Sequence, residues 1–194
     1  MKIGIIAEDD SDVAVLRELT LTLLRPRVVG FKKFVGDGSG KLRRKCGSWA
    51  INLVKQGCPW IVVVHDLDQH NETDLRNQLT SAIAPARAPL SLVLIPKREI
   101  EAWLLYDQRA IASTFKAQKL PKLPGNPESL ADPKKHLRDL VRKNYAKDYL
   151  HTIHNAQIAS RINPNSLRPS RSFSPHFGFS SNVRFTLLGP RAVR

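Results

Sequence analysis

The sequence predicts an α/β protein whose open parallel sheet is flanked by helices and followed by a basic helical C-terminal extension. Strand-like and helix-like segments alternate through the first 113 residues, which is typical of a doubly wound sheet with right-handed crossovers. Residues 60–64 are almost continuously apolar and β-branched, which indicates a central parallel strand covered on both faces. A proline-punctuated linker and basic amphipathic segments then replace the alternation. We therefore expect an α/β domain at residues 1–113 and an extension at residues 114–194 that packs on it.

Hydrophobic spacing and turn residues predict the order of the elements. The first strand is the apolar run 2–7, and apolar residues at helical intervals predict a helix at 12–24. Further strands are expected at 28–35, 60–64 and 90–95, and further helices at 42–56, 73–84 and 98–112. Two helices, at 128–144 and 149–162, are expected in the extension. From Asn163 onward we expect loops or partial disorder, anchored by Phe173, Phe177 and Phe179.

The composition favours a soluble protein with a polyanionic partner. There are 31 lysine and arginine residues against 17 acidic ones, a formal charge of +14, so nucleic acid is the first expected partner. No apolar run has the length of a membrane span, and the chain starts with a strand-like segment instead of a signal peptide. We therefore expect a cytoplasmic protein without a membrane partner. Cys46 and Cys58 lack the spacing of a zinc site, so reduced structural thiols are expected.

Acidic residues follow two of the predicted strands. Glu8 comes after the first strand, and Asp66 and Asp68 come after the strand at 60–64. Ligands of open α/β sheets bind beyond the carboxyl ends of the strands, and side chains two apart on a strand point the same way if the extended geometry continues. Carboxylate oxygens are the ligands that Mg²⁺ prefers, and Mn²⁺ is a second candidate. The sequence therefore predicts a metal held by the aspartates, with Glu8 moving a proton nearby.

This pattern resembles the signature of the Toprim superfamily. The resemblance lies in a strand followed by Glu8, two residues, Ser11, Asp12 and a helix, and in a hydrophobic strand that ends in Asp66-Leu67-Asp68. Toprim domains have a Rossmann-like fold and occur in topoisomerases, primases and overcoming-lysogenization-defect nucleases. The resemblance implies that Glu8 is a general acid/base and that Asp66 and Asp68 bind Mg²⁺. Asp12 matches an acidic position found at the start of the first helix in many nuclease-type members.

A second segment strengthens the resemblance. Ile95 to Leu105 is similar to a Pro-x-x-E-x-E-x-W-L-L motif of small Toprim-like proteins, which include RloB-type proteins associated with restriction and phage-defence loci. The motif implies that Glu101 binds a second metal or supports the site, with Glu99 as the next candidate. Two positions depart from the family pattern. Asp9 stands where many Toprim proteins carry glycine, and the glycine that often follows the second aspartate is missing from residues 69–71.

Basic residues supply candidate contacts to a nucleic-acid backbone. Several lie at the end of the glycine-rich segment 36–41 or directly after it. This segment differs by one residue from the spacing of a phosphate-binding P-loop, and Leu42 stands where a P-loop has a hydroxyl residue. Two more precede Glu99. The candidates are Lys41, Arg43, Arg44, Lys45, Lys97 and Arg98.

These observations predict a Mg²⁺-dependent nuclease or related phosphodiester-transfer enzyme. The resemblance adds a role in phage defence and a protein partner in a defence system. One alternative is a non-catalytic nucleic-acid-binding or defence-complex subunit that relies on its basic surface. A second is a receiver-like domain with Asp66 as phosphoacceptor. A receiver needs a hydroxyl after the fourth strand and a lysine after the fifth, whereas residues 95–98 place Lys97 after the fourth strand and supply no hydroxyl.

Overall fold

A computed structural model describes residues 1–188 and confirms the predicted parallel α/β sheet. Four strands, all parallel, lie in the order β2-β1-β3-β4. Their bounds are β1 Lys2–Ala7, β2 Gly30–Val35, β3 Trp60–Val64 and β4 Leu90–Leu94. The two central strands, β1 and β3, are the ones whose carboxyl ends carry the predicted acidic residues.

Helices cover both faces of the sheet. Eight α-helices lie within residues 1–188, joined in places by short 3₁₀ turns. They are α1 Asp10–Leu24, α2 Ser39–Lys55, α3 Glu72–Ile83, α4 Glu101–Leu104, α5 Gln108–Thr114, α6 Pro133–Tyr145, α7 His151–Ala159 and α8 Ser174–Leu188. No helix in this described part of the chain combines the length and apolar character required to cross a bilayer.

Strand β3 separates two hydrophobic cores. Trp60, Val62 and Val64 face the core formed with α1 and the helices of the extension, whereas Ile61 and Val63 face the core formed with α2 and α3. All five residues are buried, because alternate side chains of a strand point to opposite faces and both faces are covered. The continuous apolar run in the sequence therefore reports the central position of this strand.

The prediction of one continuous helix at residues 98–112 was wrong. The segment is divided into α4 and α5 by a turn in which the Asp107 carboxylate accepts hydrogen bonds from the backbone of Arg109 and Ala110. A side chain that caps a new helix start stabilises an interruption that apolar spacing does not reveal. Helix α6 similarly begins at Pro133 instead of residue 128, because Asp132 caps it and proline is well suited to the first helical turn.

The prediction of an irregular tail from Asn163 was also wrong. Within the described residues the tail forms a 3₁₀ turn, Pro164–Leu167, and helix α8. Phe173 and Phe179 are buried, as expected of anchors, and the chain is ordered by packing on α1 and β4 that local sequence does not record. Residues 189–194, the end of the predicted tail, lie outside the described part.

The extension shares a core with the sheet. Val15 of α1, Leu137 of α6, Ile158 of α7 and Val183 of α8 belong to one continuous cluster of buried side chains. The buried hydroxyl of Thr20 also contacts His176 Nε2 at 2.9 Å, which links α1 to α8. The extension therefore lies directly against the helix that starts at the predicted acidic site.

Candidate acidic site

The carboxyl ends of β1 and β3 bring Glu8 and Asp66 together. Glu8 follows β1 directly, and its Oε1 accepts a hydrogen bond from the backbone N–H of Asp66 at 3.1 Å. The two strands are neighbours in the sheet, with Ile6 paired to Val63 in register. The contact therefore follows from strand pairing and not from a flexible loop.

Two further carboxylates join them from the ends of helices. Asp12 lies in the first turn of α1 and Glu101 begins α4, and both side chains are buried. Burial, together with the negative charges of Asp12, Glu8 and Glu101, raises the pKa of Asp66 well above its usual range. Burial also raises the pKa of Asp12, and neighbouring carboxylates add to the effect. These groups therefore lie close enough to repel one another in a poorly solvated place.

Glu8 titrates near neutrality in this setting. Burial, assisted by the charges of Asp68 and Asp9, raises the pKa of Glu8 from 4.5 to about 7, although the Asp66 N–H and the Arg43 charge act in the opposite direction. The glutamate is accordingly present in both protonation states at physiological pH. A carboxyl group with this pKa is suited to accept or donate a proton.

His65 lies next to Glu8 and was not among the site residues predicted from the sequence. Its Nδ1 is 3.1 Å from Glu8 Oε1 and 2.6 Å from the Asp66 carbonyl oxygen, so a neutral ring protonated at Nδ1 can donate to either. Burial lowers the pKa of this histidine, which favours the neutral ring. The only sequence signal was a histidine directly after a fully buried strand.

Asp9, the first departure from the family pattern, caps helix α1. Its Oδ1 accepts from the backbone N–H of Asp12 at 3.0 Å, and Asp12 Oδ2 accepts from the backbone N–H of Asp9 at 3.3 Å. This reciprocal capping box fixes the start of the helix. The φ of Asp9 is −139°, which does not require glycine. Asp9 therefore holds Asp12 in place, and one Asp12 oxygen is engaged in that task.

Asp68 lies at the exposed rim of the site. Extended pairing continues past β3 as far as Leu67, whose N–H donates to the Pro96 carbonyl, and then Asp68 takes a left-handed backbone with φ of 48°. The alternation that would point Asp66 and Asp68 the same way consequently ends between them. Asp66 is half-buried within the carboxylate cluster, whereas Asp68 is exposed.

Glu99 docks the extension instead of joining the cluster. Its Oε2 accepts from the backbone N–H of Lys134, in the first turn of α6, at 2.8 Å. The side chain of the same lysine reaches inward, and its Nζ lies 3.7 Å from Glu101 Oε1. Within residues 1–188, Lys134 is the one lysine or arginine within ion-pair distance of Glu8, Asp12, Asp66 or Glu101.

Helix α7 and the residues before it supply polar contacts to Glu101. Asn155 Nδ2 donates to Glu101 Oε1 at 3.0 Å, and the hydroxyl of Tyr149 lies 3.4 Å from the same oxygen. Asn155 and Tyr149 are both buried. Sequence reasoning did not select them or Lys134. The available signal was that Asn155 precedes Ile158 and Ala159 by three and four residues, which places it on the buried face of its helix.

The predicted basic residues divide into two groups. The Arg43 charge influences Glu8, Arg43 also contacts His70, and Arg98 Nη1 donates to the Asp68 carbonyl at 3.1 Å, so both flank the acidic site. Lys97 and Arg98 line an adjoining groove of about 680 Å³ that also contains Asp68 and Gln69. Three candidates lie elsewhere on α2: Lys41 pairs with Asp37, and Arg44 and Lys45 are exposed.

The donor chemistry of the cluster fits Mg²⁺ or Mn²⁺. All the candidate ligands are carboxylates, which hard divalent cations prefer. As the side chains stand, no group of three or more histidine, cysteine, aspartate or glutamate residues within 1–188 is arranged to hold a metal. Mg²⁺ retains several waters in protein sites, so one or two carboxylates in direct contact suffice.

Fold and site together define an α/β protein with a partly buried carboxylate cluster at the carboxyl edge of a parallel sheet. A family model described as a domain of unknown function, DUF4276, matches residues 38–178, and the chain belongs to this family. The match runs from the start of α2 into α8 and includes β3, β4 and the extension as far as residue 178. Neither the curated proteins nor the solved structures contain a significant match to the chain.

Proposed function

We propose that this protein is a Mg²⁺-dependent enzyme that cleaves or transfers phosphodiester bonds of nucleic acid. The observation that carries the proposal is the meeting of Glu8, Asp12, Asp66 and Glu101 at one edge of the sheet, where burial and mutual repulsion raise the pKa values of three of them. Folding alone does not favour such a cluster, because it keeps negative charges close together away from water. A divalent cation would offset that cost.

The residues of the acidic site would have different roles in this reaction, according to their positions. Asp66 and Glu101, with Asp12 and the exposed Asp68, would hold Mg²⁺ or Mn²⁺. When bound in such a site, the ion stabilises negative charge that develops on a phosphate. Glu8, with its pKa of about 7 and its contact to the Asp66 N–H, would accept or donate the proton of an attacking or leaving oxygen. Arg43, Lys97 and Arg98 would bind phosphates on either side.

Cleavage assays with purified variants test the proposal. Labelled single-stranded and double-stranded DNA and RNA are incubated with the full chain in Mg²⁺, in Mn²⁺ or in EDTA. We expect metal-dependent cleavage that falls by about 1000-fold or more in Asp66→Asn and Glu8→Gln, since each removes one part of the chemistry. Asp74→Asn is the matched control, because this aspartate is exposed and lies in the first turn of α3. Undiminished cleavage in both site variants would overturn the assignment.

A non-catalytic nucleic-acid-binding or defence-complex subunit is the second candidate. It is favoured by the formal charge of +14, which suits a polyanionic partner with or without turnover. Binding that weakens steeply with salt, about one unit of slope per phosphate neutralised, without turnover in any metal would support it. The receiver-like alternative gains no support, since the sheet of the described residues has four strands and a receiver places its lysine after a fifth.

A further inference from the structure

The contacts that fix Glu101 come from the extension. Glu101 is only 3% exposed, and an isolated carboxylate at that depth is costly unless polar groups surround it. Its Oε1 accepts from Asn155 Nδ2 and lies near the Tyr149 hydroxyl and Lys134 Nζ. All three partners lie beyond residue 113. The sheet domain places Glu101, but the extension orients it.

Asn155 is held in one orientation by its own contacts. Its Oδ1 accepts from the Tyr149 hydroxyl, which requires the amide to present its Nδ2 donors on the other side. Those donors reach Glu101 Oε1 at 3.0 Å and Ser11 Oγ at 3.1 Å. Ser11 in turn donates to the His151 carbonyl. In this orientation the Asn155 amide oxygen has a donor and the amide nitrogen has two acceptors, so the hydrogen-bond network holds the side chain in place.

The same amide joins the two helix starts that carry buried carboxylates. Ser11 immediately precedes Asp12 in α1, and Glu101 begins α4. One side chain therefore sets the separation between the Asp12 and Glu101 segments. The carboxylate of Glu101 is engaged on Oε1 alone, and no donor in the described chain reaches Oε2 within hydrogen-bond distance. One oxygen is fixed and the other remains available to a cation.

We propose that Tyr149 and Asn155 are positioning residues that orient Glu101 as a metal ligand, so that the helical extension is an integral half of the metal site. This inference rests on the proposed metal-dependent function. It predicts that metal affinity depends on two residues that never touch the metal. Groups that hold a metal ligand by hydrogen bonds typically contribute about 10-fold to 100-fold in affinity.

Mn²⁺ binding to the full chain, followed by electron paramagnetic resonance of the free ion, tests the inference without any substrate. We expect Asn155→Ala and Tyr149→Phe to weaken Mn²⁺ binding by about tenfold or more. Tyr145→Phe and Asn144→Ala are the matched controls. Their side chains also lie in the extension and hydrogen-bond to backbone carbonyls, of Lys119 and Leu140, away from Glu101. The controls should bind Mn²⁺ as the unmodified chain does.

A double-variant comparison separates positioning from a general loss of structure. If Asn155 acts through Glu101, then adding Asn155→Ala to Glu101→Gln should cause little further loss of Mn²⁺ affinity. Tyr149→Phe preserves side-chain volume and decides the question if Asn155→Ala does not fold. Mn²⁺ affinities unchanged in a folded Tyr149→Phe or Asn155→Ala chain, or losses that add fully to that of Glu101→Gln, would overturn the inference alone. Failure of the unmodified chain to bind Mn²⁺ would overturn the proposed function and this inference together.

Discussion

Two places in this molecule bury carboxylates, and they treat them in opposite ways. Glu128, before α6, is 9% exposed and accepts hydrogen bonds from the Ser170 and Ser172 hydroxyls and from the backbone N–H groups of Arg171 and Ser172. These donors outweigh the effect of burial and lower the pKa of Glu128. At the acidic site, donors are fewer and carboxylates face one another, so burial raises the pKa of Glu8, Asp12 and Asp66.

The contrast distinguishes a structural carboxylate from a candidate functional one. The Glu128 cluster ties the loop before α6 to the segment before α8, and Ser172 Oγ also accepts from Trp103 Nε1 at 2.7 Å. Every donor there has an acceptor, which stabilises the fold. The acidic site leaves negative charge uncompensated, which destabilises the fold unless something else binds. Three variants make this comparison measurable.

Removing the charge of Glu128 should have the largest effect on stability. We expect Glu128→Gln to lower the free energy of unfolding by about 3 kcal/mol, because an amide loses the charge-assisted bonds and turns a donor toward other donors. Urea unfolding at pH 7 measures this. Glu72→Gln is the control, since Glu72 forms a partly exposed ion pair with Arg76 and should lose less than about 1 kcal/mol. Equal losses in the two variants would show that the hydrogen bonds to Glu128 stabilise the fold no more than a partly exposed ion pair does.

Neutralising Glu8 should stabilise the protein, with an effect that depends on pH. The pKa of Glu8 is about 7 in the folded chain and 4.5 without that environment, so its contribution to stability is complete below 4.5 and is lost as the pH rises through 7. Each pKa unit corresponds to about 1.4 kcal/mol, so the full shift would correspond to about 3.5 kcal/mol. Because the Glu8 carboxylate is partly exposed to solvent, we expect about 2 kcal/mol of this in EDTA, so that Glu8→Gln is more stable than the unmodified chain by that amount at pH 8. This advantage should disappear by pH 4.5.

Urea unfolding of both chains across that pH range measures the difference. Burial lowers the pKa of His176 to about 3, which destabilises the fold below pH 6.5, but the effect cancels because both chains contain this histidine. A pH-independent difference between the two chains would show that burial does not raise the pKa of Glu8.

Replacing Lys134 should have the smallest effect. Its ammonium group partly offsets the acidic cluster through Glu101, so we expect Lys134→Gln to lower the free energy of unfolding by about 1 kcal/mol in EDTA. Excess Mn²⁺ should reduce the deficit, because a bound cation supplies the missing positive charge. Thermal unfolding with and without Mn²⁺ measures both values. A deficit that is identical in the two conditions would mean that Lys134 contributes through packing alone.

Sequence reasoning succeeded where local pattern and burial agree. The run Trp60–Val64 predicted a central strand because a parallel strand covered on both faces requires apolar residues at every position. Glu8 and Asp66 were predicted to meet because neighbouring parallel strands end at the same edge. The prediction was weaker at Asp68, whose left-handed backbone ends the extended geometry on which the alternation argument depended.

The sequence alone determined three things: the apolar runs that form the strands, the carboxylates that follow two of them, and the excess of basic residues. Only the tertiary structure decided that Lys134, Tyr149 and Asn155 meet Glu101, that Glu99 accepts a hydrogen bond from the first turn of α6, and that residues 174–188 of the tail form a helix. These contacts join residues 33 to 54 positions apart, and their geometry depends on how helices pack rather than on any local periodicity. Local pattern fixes what each segment can form, whereas packing of the extension on α1 decides which side chains share the acidic site.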